Sequence, residues 1–411
     1  MRRRRASGGG AGGVMCPWGD PRNAVRGFCW EPPQGCPGGG GRPKVPVPHR
    51  RARLASGTVT WCYDPRQSYE HNLAHGPSGA MAGPGVPLPE SPPRHAVLGQ
   101  ALHSPFGIAA GPLLDAAYTT AALRHGFDIA AYKTVRSAAH PSHPFPNTLA
   151  VHVDGRLEAD RVEPLVADDD LDHATSISNS FGVPSQDPDA WQPDMAAAVA
   201  AAGEGQLLLA SFQGTRQGEG GMDAYVADHA TTAKLVVETG ARALEMNLSC
   251  PNEGTGALLC FDTASVARIA GTVKEAVGDV PLVLKLAYFG DDARLRAFVE
   301  ATAGIVDGYA AINTLPARLV DAGGGQALPG AGREVAGVCG DAIRWAGLEM
   351  TARLARHREE LGARFAIIGV GGVLATEHYE AYRAAGADAV MCATGALLDA
   401  DLGRKVRALA A

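Results

Sequence analysis

The feature that most restricts this chain is a recurrence. From about Val97 onward, eight short apolar runs, each ending in polar or Gly residues, alternate with Ala-rich amphipathic stretches. The runs are Gly107–Ala110, Ile129–Lys133, Leu207–Phe212, Ala243–Leu248, Leu282–Leu286, Tyr309–Asn313, Ala366–Gly369 and Ala389–Cys392. Helical patterns follow most of them, at Asp223–Thr239, Thr263–Val277, Asp292–Ala303 and His378–Ala385. Such alternation implies an α/β chain with a parallel sheet. Eight strands with intervening helices predict a (β/α)8 TIM barrel. The stretch between the second and third runs, His140–Val199, exceeds a normal crossover and is expected to form an inserted subdomain over the C-terminal mouth.

Composition separates this body from what precedes it. Residues 1–58 carry 10 Arg and 1 Lys against Asp20 and Glu31, a net of +9, which leaves −15 for the remainder of a chain whose total is −6. The same segment holds 13 Gly and 8 Pro, a composition typical of disorder. The expected organisation is a disordered basic head over 1–58, a lead-in over 59–96 that contains Tyr63–His75, and a barrel over 97–411. No apolar run reaches the roughly 18 residues that span a bilayer. Arg2–Arg5 is followed by Ser7-Gly8-Gly9-Gly10 where an export signal needs an apolar segment. The reading is a cytoplasmic protein. Cys16, Cys29, Cys36 and Cys62 lack the spacing of a zinc site, and Cys250, Cys260, Cys339 and Cys392 are too sparse for a disulfide framework. No metal site is expected. An acidic body argues against nucleic acid as a partner.

In such barrels the reactive residues sit where strands end. The first run ends in Ala109-Ala110-Gly111-Pro112, which suits either a flat ligand approaching the backbone or an ordinary tight turn. The second ends in Tyr132-Lys133-Thr134 and the fifth in Leu284-Lys285-Leu286, each placing a lysine in an apolar strand, where buried Lys is rare without a partner. The fourth leads into Asn247-Leu248-Ser249-Cys250-Pro251-Asn252. Two amides and a thiol within six residues make a donor and acceptor cage around a candidate base, although a lone cysteine reads as a small buried hydrophobe. The insertion carries Ser178-Asn179-Ser180-Phe181-Gly182-Val183-Pro184, and the sixth run ends in Ile312-Asn313-Thr314 before a Gly-rich loop, Leu315–Gly340. Gly369-Val370-Gly371-Gly372 and Ala393-Thr394-Gly395 close the seventh and eighth, where barrels commonly bind phosphate through backbone N–H groups.

These motifs, in this order, resemble the dihydroorotate dehydrogenase family, FMN-dependent (β/α)8 enzymes, and are similar to the pyrimidine-reducing domain of dihydropyrimidine dehydrogenase. The resemblance covers about Ser104 to Leu409. Tyr132-Lys133-Thr134-Val135-Arg136-Ser137 also fits it, and Tyr63–His75 resembles the amino-terminal segment of a bacterial branch, which would put the genuine start near Val59. Three places depart from the family pattern. Thr394-Gly395 stands where many members have Gly-Thr, Ala336-Gly337 where Gly-Gly is usual, and Arg344-Trp345 where Lys-Pro is common.

The resemblance implies FMN-dependent oxidation of dihydroorotate to orotate in de novo pyrimidine biosynthesis. Cys250 would be the general base of the cysteine-using, soluble class. Asn179, Asn247, Asn252 and Asn313 would hydrogen-bond the pyrimidine, with Phe181, Gly182, Val183 and Thr314 completing its site. Lys133, by flavin and substrate, and Lys285, beside the flavin N1–O2 edge, would be catalytic with Cys250, while Thr134, Asn179, Asn247 and Asn313 would also contact the flavin. Ala110-Gly111 would pack under the isoalloxazine, and Gly340, Gly371-Gly372 and Thr394-Gly395 would hold the ribityl phosphate. Fumarate-using relatives act as homodimers, while NAD-using relatives need a separate FAD and iron–sulfur subunit. The competing expectations are an FMN-dependent reductase of a uracil-like base, a non-flavin barrel for a sugar phosphate, and a ligand-binding barrel without catalysis.

Overall fold

Period-two alternation along the strands sorts their side chains into two separate cores. The structure, a computed structural model, describes residues 62–88, 92–216, 220–249 and 258–410. Its barrel strands are β1 (Phe106–Ile108), β2 (Ile129–Val135), β3 (Leu207–Phe212), β4 (Leu244–Asn247), β5 (Leu282–Leu286), β6 (Gly308–Ala311), β7 (Ala366–Val370) and β8 (Ala389–Cys392). Every neighbouring pair is parallel, and β8 closes onto β1. All eight expected strands are present, with ends shifted by no more than two residues.

Helices α1 (Ala116–Arg124), α2 (Pro188–Ala201), α3 (Gly221–Glu238), α4 (Thr263–Val277), α5 (Asp292–Thr302), α6 (Arg344–Glu360), α7 (Thr376–Ala384) and α8 (Leu402–Ala410) form the outer layer. Several start on a side-chain cap, which satisfies N–H groups that the first turn leaves open. Asp115 accepts from the backbone of Ala117 and Tyr118, and Asp291 from that of Ala293 and Arg294. The outward residues Tyr132, Leu208, Ala210, Met246, Leu284 and Tyr309 pack under this layer.

The inward residues form the second core. Ile129, Ala131, Leu207, Leu209, Ala243, Val283, Ala310, Ile368, Ala389 and Met391 meet on the barrel axis. An antiparallel hairpin, His95–Val97 with Gln100–Leu102, plugs the floor through Val97 and Leu102. Its two-residue turn has Leu98 at φ 52° and Gly99 at φ 73°, the sign pair of a type I′ turn. Beside the plug, Arg407 of α8 reaches Asp128 at 2.9 Å, with side chains 7% and 0% exposed. Ser104 donates to the same carboxylate at 2.7 Å and Gln206 at 3.4 Å.

The subdomain over the mouth draws on the expected insertion, in shorter form, and on a second connection as well. Residues 188–201 form α2, an ordinary barrel helix, so the insertion ends before Asp187, whose carboxylate caps that helix. The insertion supplies three strands, Ala150–Val151, Leu165–Asp168 and Ser176–Asn179. Two more, Leu315–Val320 and Val335–Gly340, come from the β6–α6 connection and close a five-stranded sheet with them. That connection reads as a loop when judged by its glycines. The burial alternation of Leu315–Val320 is what makes it a strand. Arg333, 4% exposed, ties this sheet to the insertion by donating to the carbonyls of Pro144, Pro146, Ser180 and Pro329.

Candidate functional site

The inward parity that builds the floor continues upward and changes chemistry at the last turn of the barrel. Ile129 and Ala131 lead to Lys133, Leu207 and Leu209 to Ser211, Ala243 to Glu245 and Asn247, and Val283 to Lys285. Inward side chains two residues apart share a face. The apolar floor therefore carries a polar layer. In β2 the pairing with β3 slips between Tyr132 and Val135, where β2 has one extra residue. A bulge of this kind re-aims a side chain. Lys133 and Thr134 accordingly both line the cleft above, though adjacent in sequence.

That cleft, counted together with the open solvent at its mouth, spans about 740 Å³. It brings together Ala110, Gly111, Lys133, Thr134, Asn179, Phe181, Gly182, Val183, Asn247, Lys285, Asn313 and Thr314, twelve of the residues expected from sequence. Lys133 and Lys285 are only 8% and 4% exposed. A chain of amides and hydroxyls crosses the tops of β3, β4 and β6. Asn247 Nδ2 donates to Gln213 Oε1 at 2.7 Å, Ser249 Oγ donates to Asn247 Oδ1 at 3.3 Å, and Asn313 Nδ2 donates to Ser249 Oγ at 2.9 Å. Such a network presents both donors and acceptors without a charge to desolvate.

The roof of the cleft comes from the mouth subdomain. Phe181 places its ring centroid 5.2 Å from Lys133 Nζ, a cation–π contact. Tyr63 and Tyr69 of the lead-in meet Phe181 edge-on at 6.3 and 6.5 Å. The lead-in is itself held by the Tyr118 hydroxyl, which donates to the Asn72 and Gly76 carbonyls. Gly182, at φ 78°, lies against the His143 ring, and any side chain there would collide with it.

Gly340, Gly371, Gly372, Thr394 and Gly395 do not line this cleft; they gather beyond it, where Val335–Gly340, β7 and β8 end. A Cβ on Gly372 would lie 2.7 Å from the Gly340 carbonyl oxygen and 2.6 Å from Arg344 Cβ, and one on Gly395 would collide with the Val373 carbonyl. Backbone thus meets backbone across three loops. Thr394 Oγ1 is buried beside the Cys339 thiol and has no ordinary hydrogen-bond partner among the described residues. Burial pushes that thiol up to about 11, the Thr394 hydroxyl offsetting it only in part. Arg344, at the start of α6, contacts the Asp341 carboxylate and lies 3.5 Å from His378 Nδ1. Burial, then the Arg344 charge, holds His378 below the usual histidine range.

Cys250 and Asn252 lie outside the described residues. Ser211, Gln213 and Glu245 also take part here, residues to which no sequence motif assigns a role. Glu245 is fully buried, lines the cleft and faces Lys285 Nζ at 3.8 Å. The signal was available: a carboxylate two residues before Asn247, in an otherwise apolar strand, must share its inward face.

Residues 162–406 match the family model described as dihydroorotate dehydrogenase. A protein of Dictyostelium discoideum named dihydroorotate dehydrogenase is 32% identical over 355 residues, covering 82% of this chain and 94% of that one. The chain belongs to the dihydroorotate dehydrogenase family. It is therefore an oxidoreductase acting on a CH–CH group. A Maridesulfovibrio salexigens protein named dihydroorotate dehydrogenase B (NAD(+)), catalytic subunit, is 28% identical over 168 residues, 41% of this chain and 52% of that one. The fold is shared with the Eimeria tenella DHODH solved in complex with ferulenol, at a TM-score of 0.64 and 17% identity, covering 84% of this chain and 91% of that one. Among the described residues, no helix is long and apolar enough to cross a membrane.

Proposed function

We propose that this chain binds FMN in the cleft and oxidises dihydroorotate to orotate, as a step of pyrimidine synthesis. The observation that carries the reading is the convergence of two lysines, each more than nine-tenths buried, with the Gln213–Asn247–Ser249–Asn313 network on one cleft. Two ammonium groups beside a network of amides and hydroxyls, on a cleft open to solvent, suit a polar, electron-rich occupant.

The residues fit FMN at both ends. Gly111, at φ 142°, has nothing within 4 Å on its Cβ side, which leaves a flat ring free access to the backbone at the top of β1. At the other end, the buried Thr394 hydroxyl and the packed Gly340, Gly372 and Gly395 suit a phosphate held by backbone and hydroxyl donors. When bound, FMN supplies the hydride acceptor at its N5 atom. Lys285 would stand at the ring's N1–O2 edge, Lys133 by both ring and substrate, Thr134 by the ring, and Ala110-Gly111 beneath it.

Loss of hydride from C6 of dihydroorotate must accompany loss of the C5 proton, so a base has to face the ring from the side opposite the acceptor. Cys250 takes that role in this reading, on the strength of its place in the sequence motif. Asn179, Asn247, Asn252 and Asn313 would hold the pyrimidine, since each amide can both donate to and accept from its carbonyl and N–H groups. Phe181, Gly182, Val183 and Thr314 would enclose it. The chain would act as a cytoplasmic homodimer; acceptance of electrons by NAD would call for a separate FAD and iron–sulfur subunit.

Purified full-length protein should be yellow, with the absorbance of FMN. Anaerobic dihydroorotate should bleach it, and reoxidation by fumarate, NAD or quinone should identify the acceptor. A colourless protein that cannot be reconstituted with FMN overturns the flavin reading; an FMN protein reduced by dihydrouracil but not by dihydroorotate moves it to a uracil-type base.

A further inference from the structure

Glu245 and Lys285 form a buried pair of an unusual kind. Their side chains are 1% and 5% exposed, yet Nζ and Oε2 stand 3.8 Å apart, too far for a hydrogen bond. Oε1 accepts only a long bond from Ser211 at 3.4 Å, and Oε2 has no hydrogen-bond partner among the described residues. Lys285 Nζ likewise donates no hydrogen bond among them. A pair selected for stability would close this gap, because at such burial the attraction must offset a desolvation cost of several kcal/mol per ion. Both groups line the cleft instead, on neighbouring strands with Lys285 in register with Asn247, leaving the ammonium's donors free to point at an occupant.

We propose that Glu245 sets the charge that Lys285 presents to the bound flavin, cancelling the ammonium's positive field at the ring while leaving its hydrogen-bond donors in use. The separation is the physical basis. A hydrogen-bonded carboxylate would consume a donor, whereas one at 3.8 Å compensates the charge and consumes none. An uncompensated ammonium beside the N1–O2 edge would favour any form of the flavin that carries negative charge there. Glu245 then tempers the electron affinity of the ring, and Lys285 orients it. The inference rests on the FMN reading above.

Sulfite affinity of the bound flavin tests this without turnover, because sulfite addition puts negative charge on the same edge of the ring. Removing one compensating charge in a poorly solvated pocket is worth about a factor of ten. Glu245→Gln in the FMN-loaded full chain should therefore bind sulfite about tenfold more tightly and show a more positive reduction potential. Lys285→Met should bind it about tenfold more weakly. The double variant Glu245→Gln/Lys285→Met, which restores a neutral pair and remains available if the single variant fails to fold, should return to within about threefold of wild type. A merely structural Glu245 predicts no change in either readout. Wild-type protein that binds FMN, with Glu245→Gln or the double variant failing these directions, overturns the charge assignment alone. Wild-type protein that cannot be loaded with FMN overturns the flavin reading and this inference with it.

Discussion

The floor and the mouth of the barrel are built from the same strands with the same inward parity, yet they treat buried charge in opposite ways. At the floor, Asp128 and Arg407 meet at 2.9 Å, and Ser104 and Gln206 also donate to the carboxylate. At the mouth, Glu245 and Lys285 stand 3.8 Å apart, and among the described residues the carboxylate has one long hydrogen bond. The floor pair is closed on itself and fastens α8 under the plug. The mouth pair is open toward the cleft. Incomplete satisfaction of a buried polar group is expected where a ligand completes it, so the difference marks which end of the barrel was shaped for binding.

The largest expected effect separates chemistry from fold. Cys250→Ala should lower turnover by about 10²–10⁴-fold, the usual worth of a positioned general base, with the thermal melting point unchanged. Turnover of the unsubstituted enzyme should rise from pH 7 toward 9, because a thiol with an ordinary value of about 8.5 is mostly protonated at neutrality. Near-normal turnover in the alanine variant would remove Cys250 from the mechanism.

The next effect concerns the two ion pairs. Arg407→Met leaves the Asp128 carboxylate buried without its cation and should cost about 3–5 kcal/mol in urea unfolding. Glu245→Gln/Lys285→Met removes both charges from the mouth and should be neutral or stabilising by about 1–4 kcal/mol in flavin-free protein. Equal losses at the two ends would erase the contrast.

The smallest effect lies on the outer layer. Asp292, at the first turn of α5, is shared by Arg353 at 2.7 Å, Arg356 at 2.6 Å and His357 at 3.1 Å. Desolvation works to raise its carboxyl, but the hydrogen bonds from Arg353 and His357 outweigh it and hold it at about 2 instead of 3.8. A depressed carboxylate stabilises the fold above its unfolded value and loses that contribution as pH falls through the folded one. Wild type should therefore lose stability between about pH 4 and 2 more steeply than Asp292→Asn. Because the carboxylate is half exposed, the difference should be modest. Parallel acid-unfolding curves would show that this hub contributes nothing.

How much could be read in advance follows from range of interaction. The eight strands were legible because both faces of a barrel strand are buried, so each is a short apolar run bounded by polar or Gly residues. Lys133 and Lys285 were legible as exceptions within such runs. Leu315–Val320 was not, because glycine content outweighed its alternation when read without a partner strand. Lys133 and Thr134 were both expected at the cleft, but the bulge that lets two adjacent residues share it is defined only by pairing with β3. Glu245 was visible as a residue but not as the partner of Lys285, a lysine forty positions later in the chain.

The sequence by itself determined the barrel, the order of its motifs and the residue types offered at each strand end. These depend on local periodicity and on chemistry that each segment carries alone. Only the tertiary structure decided that the mouth sheet is drawn from two distant connections, that the lead-in supports Phe181, and that the mouth's charge pair is left open while the floor's is closed. Those outcomes are distances between segments far apart in the chain, set by barrel closure and packing, and no stretch of sequence encodes them separately.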